Sequence, residues 1–173
     1  VLCTYLGIYD TDFCGDIPYT EASQARYGGT LTPKYDAVKD LYDLFLADLD
    51  ECIKIFTTAT GQYALSTQDV VYAGDMKKWA KLANSLKLKI AARLIHQDFA
   101  KAKNIVAAVK SAPCGVMDGA ADDFLFNKCA TNTANSDYAY QTGNGLAAIY
   151  PSNRMIDFLV DNQDPRVRFI YRK

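Results

Sequence analysis

The chain predicts an all-α fold of stacked helix pairs carrying one long loop-rich excursion, and three observations lead to it. Met76, Trp79, Leu82, Ala83, Leu86, Ile90 and Leu94 fall on one stripe of a 3.6-residue wheel, while Lys77, Lys78, Lys81 and Lys89 fall off it. An earlier segment repeats the pattern: Val38, Leu41, Tyr42, Phe45, Leu46, Leu49, Cys52, Ile53 and Phe56 make one broad apolar face. From about Pro113 to Pro151 the periodicity stops and Gly, Asn, Thr, Ser and Ala take over.

The first helix in this scheme starts after Pro33 and Asp36, which supply its start signals. Its polar side, with Asp40, Asp43, Asp50 and Glu51 against Lys39 and Lys54, is mostly acidic. That of the next helix is mostly lysine. The asymmetry favours side-by-side packing, but exposed pairs contribute only about 0–1 kcal/mol each, so two solvated faces are the simpler account. In the next helix, Gly74 lets the chain bend and Asp75 caps the free N–H groups of the first turn. Leu88 sits among the lysines and marks a second contact on the far side, as a helix between two neighbours requires. A third helix runs from about Asp98 to Ser111, with Phe99, Ala102, Ile105, Val106 and Val109 inward and Pro113 beyond its end.

The spacing Trp79-x-x-Leu82-Ala83-x-x-Leu86, followed by Phe99 and Ala102, approximates the large, large, small, large order of a tetratricopeptide repeat. Ile95 stands where that order wants a small residue, and no Pro closes the repeat. The predicted architecture is therefore a tetratricopeptide-like helical superhelix, a single domain over 1–173 with a helical core at 36–112 and a loop-rich segment at 113–151.

Composition bounds the function. With 173 residues the chain can bury about 70% of its unfolded surface, enough for one core. A net charge of −1 argues against nucleic acid, since phosphate neutralisation needs clustered Lys and Arg. The longest apolar runs fall far short of the ~20 residues that span a bilayer. The five cysteines, Cys3, Cys14, Cys52, Cys114 and Cys129, lack C-x-x-C spacing and read as free, buried residues. Cys114 and Cys129 bracket a loop and form the one pair weighed as a disulfide.

Catalytic motifs are missing. His96 is the only histidine, at the end of the lysine helix, with no ligand-spaced partner; it reads as a last-turn group facing the helix dipole. No nucleophile elbow, phosphate-cradling loop or dinucleotide fingerprint is present. Asp118, Asp122 and Asp123 gather three carboxylates but lack the alternating ligands of an EF-hand, so a solvated acidic loop is favoured over calcium and no cofactor is expected.

The segment 113–151 interleaves Phe124, Phe126, Tyr138, Tyr140 and Tyr150 with hydroxyl and amide side chains. Flat rings offer stacking faces for sugar C–H groups, and amides and hydroxyls donate and accept hydrogen bonds. Tyr138 and Tyr140 point the same way if locally extended. Asn144 lies on a Gly-Asn-Gly turn. Tyr138, Tyr140, Asn144 and Tyr150 are the candidate ligand contacts, against the plainer account that the rings pin a loop to the helices. A loop longer than ~12–15 residues favours function or self-packing. Phe124-Leu125-Phe126 reads as an anchor into the core. Asp75, Trp79, Arg93, Asp164 and Arg166 are structural candidates. Arg93 lies at the edge of its stripe and needs an acidic partner if buried, with Asp157, Asp161 and Asp164 the choices. Pro165 fixes the chain direction while Asp164 and Arg166 tie it to nearby backbone or helix ends.

Three separated segments resemble the SusD/RagB group of nutrient-binding outer-membrane lipoproteins: Gly15-Asp16-Ile17-Pro18-Tyr19-Thr20-Glu21-Ala22 followed by Pro33-Lys34-Tyr35-Asp36 and Leu46-Ala47-Asp48-Leu49-Asp50; Gly74-Asp75-Met76-Lys77-Lys78-Trp79 with Asn84-Ser85-Leu86 and Ala91-Ala92-Arg93-Leu94; and Asp164-Pro165-Arg166. The resemblance is firm over Gly15 to Leu94 and thin between there and Asp157. Cys14 occupies the place before Gly-Asp where that group usually has an aromatic. The resemblance implies a piece of a longer protein with a lipidated N-terminal Cys outside this stretch. It also implies capture of an oligosaccharide, less often a peptide, without bond chemistry, and delivery to a SusC-like TonB-dependent transporter. A helical-repeat adaptor that binds protein alone is the runner-up, and an all-α carbohydrate-active enzyme the third reading. No motif of the group carries over a ligand contact by position.

Overall fold

The computed structural model describes residues 1–63, 65–125 and 152–170, with the side chains of 169 and 170 left aside. The chain divides into two compact units, Val1–Phe126 and Asn127–Lys173. The first holds α1 (Leu2–Cys14), α2 (Val38–Thr58), α3 (Met76–Leu94) and α4 (Phe99–Lys110); the second holds α5 (Asn153–Asp161) and α6 (Val167–Ile170). Among the described residues there is no strand, only one isolated antiparallel bridge between Ile17 and Asp36. The fold is all-α, as the periodicity predicts.

α3 is the centre of the first unit, packed against α2 on one side and α4 on the other, while α1 packs on α2. Two-sided burial explains why so much of α3 is inaccessible: Leu82, Ala83, Leu86, Ile90 and Leu94 face the core, and so do Ala80, Asn84 and Lys87. Lys87 is withdrawn from solvent yet its ammonium pairs with Asp50 of α2. Lys101 of α4 bonds Asp43 of α2 at 2.5 Å. The acidic face of α2 is thus paired with lysines from both following helices. Asp75 accepts from the backbone N–H groups of Lys77 and Lys78 at 3.0 and 3.2 Å, after Gly74 at φ +85°. Asp98 caps α4 by accepting from Lys101 N–H at 2.9 Å.

Several sequence expectations are corrected. Phe99 is 68% exposed and Val106 is exposed too, so α4 buries only the narrower stripe Ala102, Ile105 and Val109. Asp36 does not cap α2. Its first N–H, that of Val38, bonds Asp16 Oδ1 at 2.9 Å, while Asp36 turns back onto Tyr19 and Thr20. Cys3 and Cys14 are exposed rather than buried; Cys52 and Cys114 are half-buried and free, and Cys129 lies outside the described residues. His96 lies two residues past the end of α3 and is exposed.

α1 has no counterpart in the sequence-based scheme. It buries Thr4, Gly7, Ile8 and Thr11, a mostly small stripe, and leaves Leu2, Leu6, Tyr9 and Phe13 outside. A Cβ on Gly7 would sit 2.6 Å from Phe45 Cζ, so the helix lies too close to α2 for any larger residue there. Phe45, fully buried, also takes the edge of Tyr19 at 5.1 Å between ring centres.

Candidate functional site

Two assemblies on the first unit gather polar and aromatic groups. The first is the stretch 113–125, pinned along α3. Asn84 donates through Nδ2 to the carbonyls of Pro113 and Gly115 at 3.0 and 2.8 Å. Ser85 Oγ accepts from Met117 N–H at 3.0 Å. Lys78 Nζ donates to Ala121 O at 2.8 Å, and Lys81 Nζ sits 2.7 Å from Asp122 and 3.4 Å from Asp118. The Lys81 ammonium thus engages two of the three carboxylates of the acidic loop. Its hydrogen bond holds the Asp122 carboxyl below its ordinary value against the opposing effect of burial, and the same bond raises Lys81. Among the described residues no group of three His, Cys, Asp or Glu side chains is placed to hold a metal.

Above these contacts Phe124 meets Tyr5, Trp79 and Tyr72 at ring-centre distances of 5.2, 6.3 and 6.4 Å. Tyr72 stands edge-on to Trp79 at 5.1 Å and donates its hydroxyl to Asp122 O at 2.8 Å. Asp69 organises the base of this cluster. It accepts from Trp79 Nε1 at 2.7 Å and from the N–H groups of Gly74, Val71 and Tyr72 at 2.8–3.1 Å. Burial alone would raise its carboxyl; the four donors outweigh it and hold the carboxyl below its ordinary value. Of the Phe124-Leu125-Phe126 run, Phe124 is the anchor, Leu125 faces solvent and Phe126 is outside the described residues. Tyr138, Tyr140, Asn144 and Tyr150 also lie outside the described residues.

The second assembly is the connection between α1 and α2. Asp36 closes it: its carboxylate accepts from the N–H groups of Tyr19 and Thr20 at 3.1 and 2.7 Å and from Thr20 Oγ1 at 2.9 Å. Its own N–H donates to Ile17 O at 2.9 Å. The Thr20 N–H, chiefly, holds this carboxyl below its ordinary value. Glu21 adds a second tie, accepting from Lys34 N–H at 3.1 Å. Within the closed loop a single 3-10 turn, Ala25–Tyr27, ends on Gly28 at φ +85°. A Cβ on Gly29 would lie 2.5 Å from Gln24 Cβ, so the turn is drawn tight on itself. The result is a groove of about 520 Å³ lined by Thr20, Glu21, Gln24, Tyr27, Gly28, Gly29 and Thr30. Sequence reasoning missed it. The one available signal was the clustering of Thr, Gln, Tyr and Gly between two helices.

Of the structural candidates, Trp79 belongs to the first assembly, while Arg93, Asp164 and Arg166 fall elsewhere. Arg93 forms a two-pronged ion pair with Asp12 of α1, not with an aspartate of the C-terminal segment. Lys89 approaches the same carboxylate at 3.8 Å. Arg93 is the main cause of the lowered Asp12 carboxyl. Asp164 and Arg166 pair with each other, at 2.6 Å between Oδ2 and Nη2, and Asp164 Oδ1 also accepts from the Arg166 backbone N–H at 2.9 Å, the tie to nearby backbone that the sequence suggests. That pairing lowers Asp164 to about 2.

Comparison with known proteins follows the same geometry. The family described as SusD-like_2, "Starch-binding associating with outer membrane", matches residues 1–173. A solved SusD-like protein from Bacteroidetes superposes with a TM-score of 0.70 at 31% identity, over 95% of this chain and 32% of its own. A protein described as chitin-binding gives 0.69 at 33% identity, over 91% of this chain and 32% of its own. A SusD-like protein from Bacteroides thetaiotaomicron gives 0.71 at 26% identity, over 94% and 32%. The chain thus spans about a third of the length of these structures. No protein with a curated description matches it.

Proposed function

The chain belongs to the SusD-like family of starch-binding, outer-membrane-associating proteins, and from that membership we propose that it captures an oligosaccharide at the cell surface and passes it to a SusC-like TonB-dependent transporter. The observation that carries the reading is the family match over residues 1–173, set on a tetratricopeptide-like scaffold. Capture needs no bond chemistry: aromatic rings stack on sugar C–H faces, while amides and hydroxyls satisfy the sugar hydroxyls.

Tyr138, Tyr140, Asn144 and Tyr150 are the proposed ligand contacts. What supports them is their composition and the way residues 113–125, leading to them, are tied to α3 at several points. A short, pinned approach gives a binding segment a rigid base. Attachment to the outer membrane is proposed to run through a lipid on the full-length protein; no helix among the described residues is long and apolar enough to cross a bilayer. Binding is proposed to need no metal.

A glycan array followed by calorimetry tests the reading, using the protein and a Tyr138→Ala/Tyr140→Ala variant. Saturable binding that the variant weakens roughly tenfold, with unchanged helical circular dichroism, no shortened sugar and no effect of a chelator, is the expected result. Turnover, or silence on every glycan from a folded protein, would overturn it.

A further inference from the structure

We propose that the closed loop between α1 and α2 is a second sugar-contact point, taking one or two neutral pyranose units of an oligosaccharide held by the protein; this rests on the glycan-capture reading above. Its groove is shallow and open, with about 520 Å³ of room against the loop surface, so a guest would lie along it with one side in water. Its lining is the chemistry of a polyol site. Tyr27 supplies a ring that is 76% exposed, with the Arg26 guanidinium over it at 5.3 Å fixing its attitude. The sugar stacks on the ring and its hydroxyls meet Gln24, Thr20 and Thr30.

Gln24 has a side-chain amide with no hydrogen-bond partner among the described residues, so both its donor and its acceptor are available. Thr20 keeps an acceptor lone pair after donating to Asp36, and Gly28 and Gly29 let a ligand approach the backbone closely. The electrostatics select a neutral guest. The one charged lining residue, Glu21, is matched by Lys34 at 3.6 Å, and the nearby Arg26 guanidinium is engaged with one face of the Tyr27 ring. No aliphatic side chain lines the groove, which disfavours an apolar peptide anchor.

The loop is tied across its base: Asp36 binds the N–H groups of Tyr19 and Thr20, Glu21 beside them accepts from Lys34 N–H, and Tyr19 roots that end on Phe45. Ser23 turns the chain in a left-handed conformation at φ +60°. A loop closed at its base has less freedom to lose on binding than an open one.

Calorimetry with maltoheptaose and chitohexaose as probes tests the site in the protein, in Tyr27→Ala, in Tyr27→Phe and in Tyr138→Ala/Tyr140→Ala. Hydrogen exchange across residues 20–30 is followed with and without sugar. The expected result is roughly tenfold weaker binding in Tyr27→Ala, near-normal binding in Tyr27→Phe, and slowed exchange in the loop when sugar is added. Sugar affinity unchanged in Tyr27→Ala but lost in the double variant would overturn this site and leave the capture reading standing. No binding of either probe by any folded form would overturn this proposal, and silence of the glycan array as well would overturn the capture reading.

Discussion

Asp36 and Asp69 each gather several donors onto one carboxylate, and each fixes a segment longer than itself. Asp36 holds a loop of nearly twenty residues closed; Asp69 holds the turn that aims α3 and seats the Trp79 indole. Both carboxyls lie below their ordinary value of 3.8 in the fold. Their contribution is therefore fully present above that value and is lost as pH falls through the lowered ones. A pH titration followed on the Thr20 amide resonance should give a midpoint below 3.8, and the transition should vanish in Asp36→Asn; a midpoint at or above 3.8 would contradict the clasp. Asp69→Ala strands the indole N–H and three backbone donors, and chemical unfolding should show a loss of about 1–3 kcal/mol. Neither role was visible in the sequence. Asp36 reads as a helix start because it lies just before an apolar stripe, yet the Val38 N–H that would prove a cap donates to Asp16, 22 residues before Val38.

Element by element, legibility followed the kind of packing. α2, α3 and α4 were readable because large side chains recur along one face, and a 3.6-residue stripe survives without knowledge of the neighbour. Their outer edges were not: Phe99 and Val106 continue the α4 pattern yet stay in solvent, because α4 packs chiefly on α3 along a narrow seam and reaches α2 through the Lys101–Asp43 pair. α1 escaped notice since its buried seam is Thr4, Gly7 and Thr11 around Ile8, with its larger apolar residues outside. Missing α1 also hid Asp12, the partner of Arg93. Gly7→Val should destabilise the protein by about 1–3 kcal/mol in thermal unfolding, since its side chain must displace the Phe45 ring. Lys87 offers a second test between α2 and α3. Asp50→Ala leaves the withdrawn ammonium unmatched and should cost roughly 1–2 kcal/mol, below the about 3–5 of a fully buried pair because Asp50 itself is largely in water. Lys87→Met should be close to neutral in the same assay, the stem keeping its packing without the charge.

For the whole molecule, family membership and helical scaffold agree with the reading made from three short segments, and what lay beyond them was not encoded locally. The proposed contacts Tyr138, Tyr140, Asn144 and Tyr150 lie outside the described residues, whereas the groove built by residues 20–30 needs long-range ties that no spacing rule reveals. The measurement that bears most directly on glycan capture is a calorimetric titration with maltoheptaose and chitohexaose, with the sugars recovered afterwards and sized. The account predicts saturable binding of at least one of them and recovery of that sugar at its original length. Binding of neither, or the appearance of shortened products that disappear with a single carboxylate substitution, would contradict it.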